Sequence, residues 1–286
     1  MSVPSIWNCL STIPFKQYYL DANGIRTRVL ESGEGEPLIL LHGTGGHLEA
    51  YAKNIKGLSE RFRVICIDMV GHGYSGKPNC PYTVDVYSDH LLHVLRSLHL
   101  QKVHLSGESL GGWVAAWFAA HHPEHVNCLI LNTPGNINNK PEVMQRLKES
   151  TIKAVVDANY ESVRKRLEWL MYDKSQVTDE LVEVRYRIYG QPEFKEAVYN
   201  IVALQEPEIR QKYAWDRSWC GKIQAPTLLV WTDHDPTSSV DEAKLLLDII
   251  PGSKLLVIEG AGHWPQWEKP EEFNRIHHQF ILERSI

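Results

Sequence analysis

The sequence GESLG at residues 107–111 places a serine between two glycines, each two positions away from it. An apolar run precedes the motif and a stretch rich in Ala and Trp follows it, so a strand is expected to lead through a tight turn into a helix. The glycines remove side chains that would clash in such a turn. A chance GxSxG sequence lacks this context, which predicts that Ser109 is a nucleophile and that the amide of Leu110 helps to stabilise an oxyanion.

A serine hydroxyl needs a general base, and the base needs an acid that orients it. Among fourteen histidines, His263 is the predicted base because it follows the last expected strand, at the carboxyl end of the sheet. His277 and His278 lie on the last expected helix and are interpreted as surface or packing residues.

The acid is expected after the preceding strand, where the sequence WTDHDP at 231–236 offers both Asp233 and Asp235. Local chemistry does not choose between these two aspartates. Glu108 is a third carboxylate near the nucleophile, but its adjacency to Ser109 places it poorly for reaching the far side of the imidazole.

The second oxyanion donor is expected in the turn HGTGG at 42–46, which follows a short apolar run. Glycines let backbone amides approach a ligand, so the amide of Thr44 or Gly45 is the candidate donor. The alternative is an ordinary turn at the end of a strand.

The elements that would position these residues alternate along the chain. A hairpin is expected first, from alternating segments around the turn DANG at 21–24. Apolar runs then predict strands at 37–41, 63–67, 102–105, 126–131, 226–231 and 254–258, and periodic segments predict helices at 84–98, 110–121, 240–250 and 270–282. This alternation predicts an α/β fold with a mostly parallel central sheet and helices on both faces.

The segment between about 134 and 219 interrupts that rhythm, since it contains no convincing buried strand. Charged, helical stretches are expected in it at 141–158, 161–171 and 178–189. We therefore predict a core domain formed by residues 1–134 and 220–286, with a helical lid inserted at 135–219.

Composition limits the function classes. The net charge of −5 provides no basic field for nucleic acid or an anionic membrane, and no run of eighteen apolar residues predicts a membrane span. The first seventeen residues do not resemble a signal peptide, and the five scattered cysteines form no metal-binding spacing. These features favour a cytoplasmic enzyme that needs no metal or cofactor.

Longer motifs resemble those of the α/β-hydrolases that cleave meta-cleavage products, the C–C bond hydrolases of bacterial aromatic degradation. The most specific is GHWPQWE at 262–268, close to that family's GHWxQWE signature. The sequence WTDHD at 231–235 is similar to the family's Trp-Gly-x-x-Asp pattern, and the resemblance implies that Asp235 is the acid. The similarity covers nearly the whole chain.

The segments TDEL at 178–181 and QPE at 191–193, with Arg185 between them, resemble the family's lid helix. The resemblance implies that Arg185 binds the substrate carboxylate, which a guanidinium can do through two parallel hydrogen bonds. The alternative is a solvated helix charge. Trp264 and Trp113 are candidates for lining the substrate pocket, with ordinary packing as the alternative.

Two positions depart from the family pattern. Glu108 stands where the family usually has asparagine, and GTGGH at 43–47 ends in His47 where the family usually reads Gly-x-Gly-Pro-Gly. Asn54 is a loose candidate for a further family asparagine. Because these positions touch the substrate in the family, Glu108 and His47 suggest a different substrate or a different reaction.

The leading interpretation is a serine-dependent hydrolase that cleaves a C–C bond in a carboxylate-bearing 2-hydroxy-6-oxohexa-2,4-dienoate. The alternative is a carboxylesterase for small esters, such as monoalkyl phthalates, and a non-catalytic use of the fold is a third hypothesis. The expected partner is a small, anionic substrate, and a homo-oligomer is compatible with the resemblance.

Overall fold

A computed structural model describes residues 5–137 and 140–283 of the chain. Its centre is an eight-stranded sheet in the order β1-β2-β4-β3-β5-β6-β7-β8. The strands are Phe15–Ala22 (β1), Ile25–Ser32 (β2), Glu36–Leu41 (β3), Phe62–Ile67 (β4), Val103–Glu108 (β5), Val126–Asn132 (β6), Thr227–Thr232 (β7) and Lys254–Ile258 (β8). Strand β2 is antiparallel to both of its neighbours, and the other neighbouring pairs are parallel. The mostly parallel α/β sheet that the sequence predicts is confirmed.

The central strands are covered on both faces, as their continuous apolar sequences require. Every residue of β5 and β7 is buried, and β3, β4 and β6 are buried over most of their length. The predicted hairpin is present as β1 and β2, each longer than expected. Its turn residues Asn23 and Gly24 both have positive φ, at 56° and 82°, which suits the two-residue turn between the strands.

Thirteen α-helices lie within the described residues. They are Ile6–Leu10 (α1), Ala52–Ser59 (α2), Val84–Ser97 (α3), Leu110–His121 (α4), Pro141–Val156 (α5), Tyr160–Leu170 (α6), Asp179–Tyr189 (α7), Pro192–Ile201 (α8), Pro207–Arg210 (α9), Arg217–Cys220 (α10), Val240–Leu247 (α11), Pro265–Glu268 (α12) and Pro270–His278 (α13). The expected helix at 270–282 is α-helical only as far as His278, after which Gln279–Glu283 continues as a π-helical turn. Helix α2 was not expected from the sequence.

Helices α5 to α10 fill the chain between β6 and β7, and no strand interrupts them in the part that the structure describes. Helix α5 packs against α6 and α8, and α6 packs against α7. The division into core and lid stays a prediction; its outermost residues, 1–4 and 284–286, and residues 138–139 lie outside the described residues.

Within the described residues, no helix combines the length and apolar character that crossing a membrane requires. All five cysteines are free thiols, and Cys66, Cys128 and Cys220 are buried.

Candidate active site

Ser109 stands at the junction between β5 and α4 with φ 54° and ψ −116°, a conformation that few non-glycine residues adopt. Backbone hydrogen bonds hold it there: its amide donates to the carbonyl of Asn132 at 3.0 Å, and its own carbonyl accepts from Gly135 at 2.8 Å. A β-carbon at Gly107 would lie 2.2 Å from the Gly111 carbonyl oxygen. The motif therefore forms a strained elbow that only a glycine at this position permits.

His263 and Asp235 form a buried pair at the carboxyl end of the sheet. Nδ1 of His263 lies 2.9 Å and 3.0 Å from the two carboxylate oxygens of Asp235, and the amide of Thr237 donates to the same carboxylate at 2.7 Å. Asp233 instead accepts the amides of residues 260 and 261, at 2.8 Å and 3.4 Å, and so supports the loop. Because an aspartate accepts from Nδ1–H, Nε2 is the nitrogen left for the reacting groups.

The loop that carries His263 is anchored to the end of α6. The Glu268 carboxylate accepts the amide of Gly262 at 2.8 Å and the amides of residues 172 and 173 at 3.0 Å each. The amide of His263 donates to the carbonyl of Leu170 at 2.7 Å. A β-carbon at Gly262 would lie 2.5 Å from that same carbonyl oxygen. The glycine and glutamate of GHWPQWE thus fix the position of the histidine between them.

Glu108 is buried against the opposite nitrogen of the same imidazole. Its Oε1 lies 3.3 Å from Nε2 of His263, and its Oε2 has no hydrogen-bond partner within the described residues. Burial raises the pKa of Glu108 to about 7, although the positive charges of His263 and Arg185 oppose the rise. Burial lowers the pKa of His263, but the carboxylates of Asp235 and Glu108 outweigh this and leave it raised. As expected, Glu108 does not reach the far, Nδ1 side of the ring.

The backbone amides of Thr44 and Leu110 lie beside the nucleophile. Both residues line a cavity of about 40 Å³ together with Ser109, and Leu110 is the first residue of α4, where the helix dipole favours negative charge. Gly45 has a φ of 69° and its carbonyl accepts the hydroxyl of Tyr189 at 2.8 Å. Gly45 is not among the residues that line this cavity, so the geometry favours Thr44.

Arg185 is buried, with 1% of its surface exposed, so the alternative of a solvated helix charge is wrong. Its Nε donates to Nε2 of His47 at 3.4 Å, which requires the proton of that imidazole to be on Nδ1, 2.9 Å from Glu49. Its guanidinium lies 4.9 Å from the ring centre of Trp264, and its Nη2 has no hydrogen-bond partner in the described residues. The unusual His47 therefore holds Arg185 behind the tryptophan.

Two sequence candidates have other surroundings. Asn54 donates to the side chain of Asn274 at 3.2 Å and lines neither of the cavities beside Ser109. Trp113 lines the 40 Å³ cavity and also donates to the carbonyl of Tyr213 at 3.0 Å, so it packs and faces the site at once.

Arg166 was missed by the sequence analysis. Its guanidinium lines a second, 10 Å³ cavity beside Ser109, together with Glu108, His263 and Trp264. The signal that could have found it is helical spacing: Arg166 falls on the apolar face of α6, among the buried residues Val163, Leu167 and Leu170.

Comparisons with known proteins place this geometry among hydrolases. Residues 36–270 match the family described as the alpha/beta hydrolase fold. The chain is 31% identical to the 2-hydroxymuconate semialdehyde hydrolase of Pseudomonas sp. (strain CF600), over 92% of each protein. It is also 31% identical to the 2-hydroxy-6-oxo-6-phenylhexa-2,4-dienoate hydrolase of Comamonas testosteroni, over 89% of this chain and 90% of that protein. The crystal structure of a meta-cleavage product hydrolase from Pseudomonas fluorescens IP01 superposes with a TM-score of 0.81 at 31% identity, covering 96% of this chain and 99% of that one.

Proposed function

The chain belongs to the meta-cleavage product hydrolases of the α/β-hydrolase fold, and we propose that it hydrolyses a C–C bond in a 2-hydroxy-6-oxohexa-2,4-dienoate of aromatic degradation. The observation that carries this proposal is the arrangement around Trp264. The His263–Asp235 pair precedes this tryptophan, and the buried Arg185 stacks on its ring. A serine hydrolase centre and a cation suited to a carboxylate therefore lie side by side.

In the proposed mechanism, Ser109 is the nucleophile, His263 the base and Asp235 the acid that orients the imidazole. His263 first takes part in moving a proton, which converts the dienol of the substrate into a ketone. Ser109, or a water that it activates, then attacks the carbonyl carbon at the other end of the chain.

The C–C bond next to that carbonyl then breaks, and the dienol fragment leaves with the bonding electrons. Water completes the reaction, which yields a carboxylic acid and a 2-hydroxydienoate. The amides of Thr44 and Leu110 are proposed to stabilise the oxyanion, each by about 3 kcal/mol in the transition state. Both lie beside Ser109, which supports this role.

Arg185 is proposed to bind the substrate carboxylate, and residues 135–219 to act as a lid over the core. Two contacts support the lid: Arg166 donates to the Thr44 carbonyl at 3.1 Å, and Tyr189 donates to the Gly45 carbonyl. Both contacts place inserted helices directly on the proposed oxyanion turn. A cytoplasmic location is proposed as well, supported by the five free cysteines.

The test is a paired assay. Steady-state rates are measured on 2-hydroxy-6-oxo-6-phenylhexa-2,4-dienoate and on two esters, p-nitrophenyl acetate and monomethyl phthalate. We expect kcat/KM for the C–C bond to exceed both ester values by orders of magnitude. The control variant Ser109→Ala should lose roughly 10⁴-fold or more of the rate on each substrate while remaining folded. Brisk ester turnover beside a trace of C–C cleavage would instead identify a carboxylesterase.

A further inference from the structure

Arg166 is a buried cation without a carboxylate partner in the part of the chain that the structure describes. Only 2% of its surface is exposed. Its Nη1 donates to the Ser150 hydroxyl at 2.8 Å and its Nη2 to the Thr44 carbonyl at 3.1 Å, while its Nε has no partner within the described residues. Both of its partners are neutral. Burying a charge without an opposite charge is costly, which points to an anion that arrives with the ligand.

The cavity that Arg166 lines already contains a carboxyl group. Glu108 borders the same 10 Å³ cavity, as do Ser109 and His263. When ionised, Glu108 repels any second carboxylate that enters and neutralises one nearby cation. Arg185 alone would then leave no net positive charge for the substrate, since its field also acts on Glu108. A second guanidinium restores that charge.

We propose that Arg166 is a specificity-determining residue that binds the carboxylate at the dienoate end of the substrate, together with Arg185, and compensates for Glu108. This inference rests on the proposed function for the substrate class. The fork of Arg166 already has one edge fixed by Ser150 and Thr44, so its Nε is held beside the reacting groups without further ordering.

The outer side of Arg166 is also basic. Its guanidinium borders a surface cavity of about 180 Å³ that is lined by Arg146, Lys153 and Lys165. A basic approach on the solvent side favours an anionic ligand over a neutral one.

The experiment measures binding in the Ser109→Ala chain by calorimetry, with sorbate (hexa-2,4-dienoate) and its neutral amide, sorbamide, as matched probes. We expect Arg166→Gln to weaken sorbate binding roughly tenfold or more, the equivalent of losing one charge-assisted hydrogen bond, and to leave sorbamide nearly unchanged. Glu108→Gln should strengthen sorbate binding. The control Arg164→Gln, on the same helix but bonded to the Val177 carbonyl and Asp179, should change neither.

Equal losses for sorbate and sorbamide, or no loss for either, would overturn the proposal, as would a chain that binds no sorbate. If Arg166→Gln does not fold, Arg166→Lys replaces it, and we expect the same preferential weakening of sorbate because lysine cannot reproduce the fork. The two proposals fail separately. Arg166→Gln that binds sorbate normally in a chain with C–C turnover refutes only this inference, whereas selective loss of sorbate in a chain without C–C turnover refutes only the proposed function.

Discussion

The carboxyl of Glu108 lies 3.3 Å from Nε2 of His263, so one imidazole is flanked by Asp235 at Nδ1 and by Glu108 at Nε2. Nε2 is the nitrogen that must accept the proton of Ser109 in the proposed mechanism. An ionised Glu108 stabilises the proton on Nε2 and keeps the imidazole in its cationic form. Because the pKa of Glu108 is raised to about 7, this competition changes close to neutral pH.

Glu108→Gln is expected to shift the acid limb of the kcat/KM profile to lower pH. The substitution removes one of the two carboxylates that raise the pKa of His263, so the base stays neutral in more acidic solution. The shift should be about one pH unit, which corresponds to roughly 1.4 kcal/mol of lost interaction with the imidazolium. Steady-state profiles between pH 5 and 9 measure it, with the exposed Glu259→Gln as control. An unchanged acid limb would contradict the competition.

The same substitution should flatten the dependence of stability on pH. Since the pKa of Glu108 in the folded chain is raised above its ordinary value of 4.5, its protonated form stabilises the fold at low pH. That contribution is lost as pH rises through about 7, by roughly 2 kcal/mol between pH 5 and pH 8. We expect urea unfolding to show this loss in the wild-type chain and to show it reduced in Glu108→Gln. A larger pH dependence in the variant would reverse the sign and refute the assignment.

Arg185→Gln should raise KM chiefly for substrates that carry a carboxylate. The substitution removes the cation that stacks on Trp264 but keeps a polar side chain beside His47. Arg187→Gln is the matched control, because Arg187 is on the same helix, is exposed and pairs with Glu183. Kinetics on carboxylate and neutral substrates separate the two, and a rise in KM of the same size for neutral esters would count against carboxylate binding.

Glu268→Gln should loosen the loop that carries His263. A glutamine offers one uncharged acceptor where the carboxylate now accepts three amides, so we expect the free energy of unfolding to fall by about 2 kcal/mol. The rate constant kcat should fall as well, because His263 loses its fixed position. Urea unfolding and kcat measure the two effects, with Glu259→Gln as control. Normal kcat in a destabilised variant would show that Glu268 acts on stability alone.

Much of the fold could be predicted because its signals are local. Continuous apolar strands, a glycine-flanked elbow and an Asn-Gly turn each follow from a few neighbouring residues, and the sheet confirms them. The ending of α13 at His278, with its π-helical continuation, was not predicted, since nothing in the periodicity of 270–282 marks that point.

The site was less predictable, because its charges act across the fold. The position of Glu108 beside Ser109 excludes contact with the far side of the imidazole, but only the three-dimensional arrangement reveals the contact with Nε2. Arg166 reads as one more charge on a polar helix until its spacing among apolar residues is noticed. The role of His47 is likewise invisible in the sequence, since it depends on Arg185, 138 residues away.

The junction between Glu268 and residues 172–173 has a consequence for engineering. Because the histidine loop takes its support from the end of α6, the inserted helices are not an exchangeable module. A chimaera that joins these helices from one homologue to the core of another must transfer residues 170–176 and 260–268 as a single block. Exchange at the boundaries of the insertion alone would bring in foreign support for the base, and substrate preference could not be transplanted without retuning the chemistry.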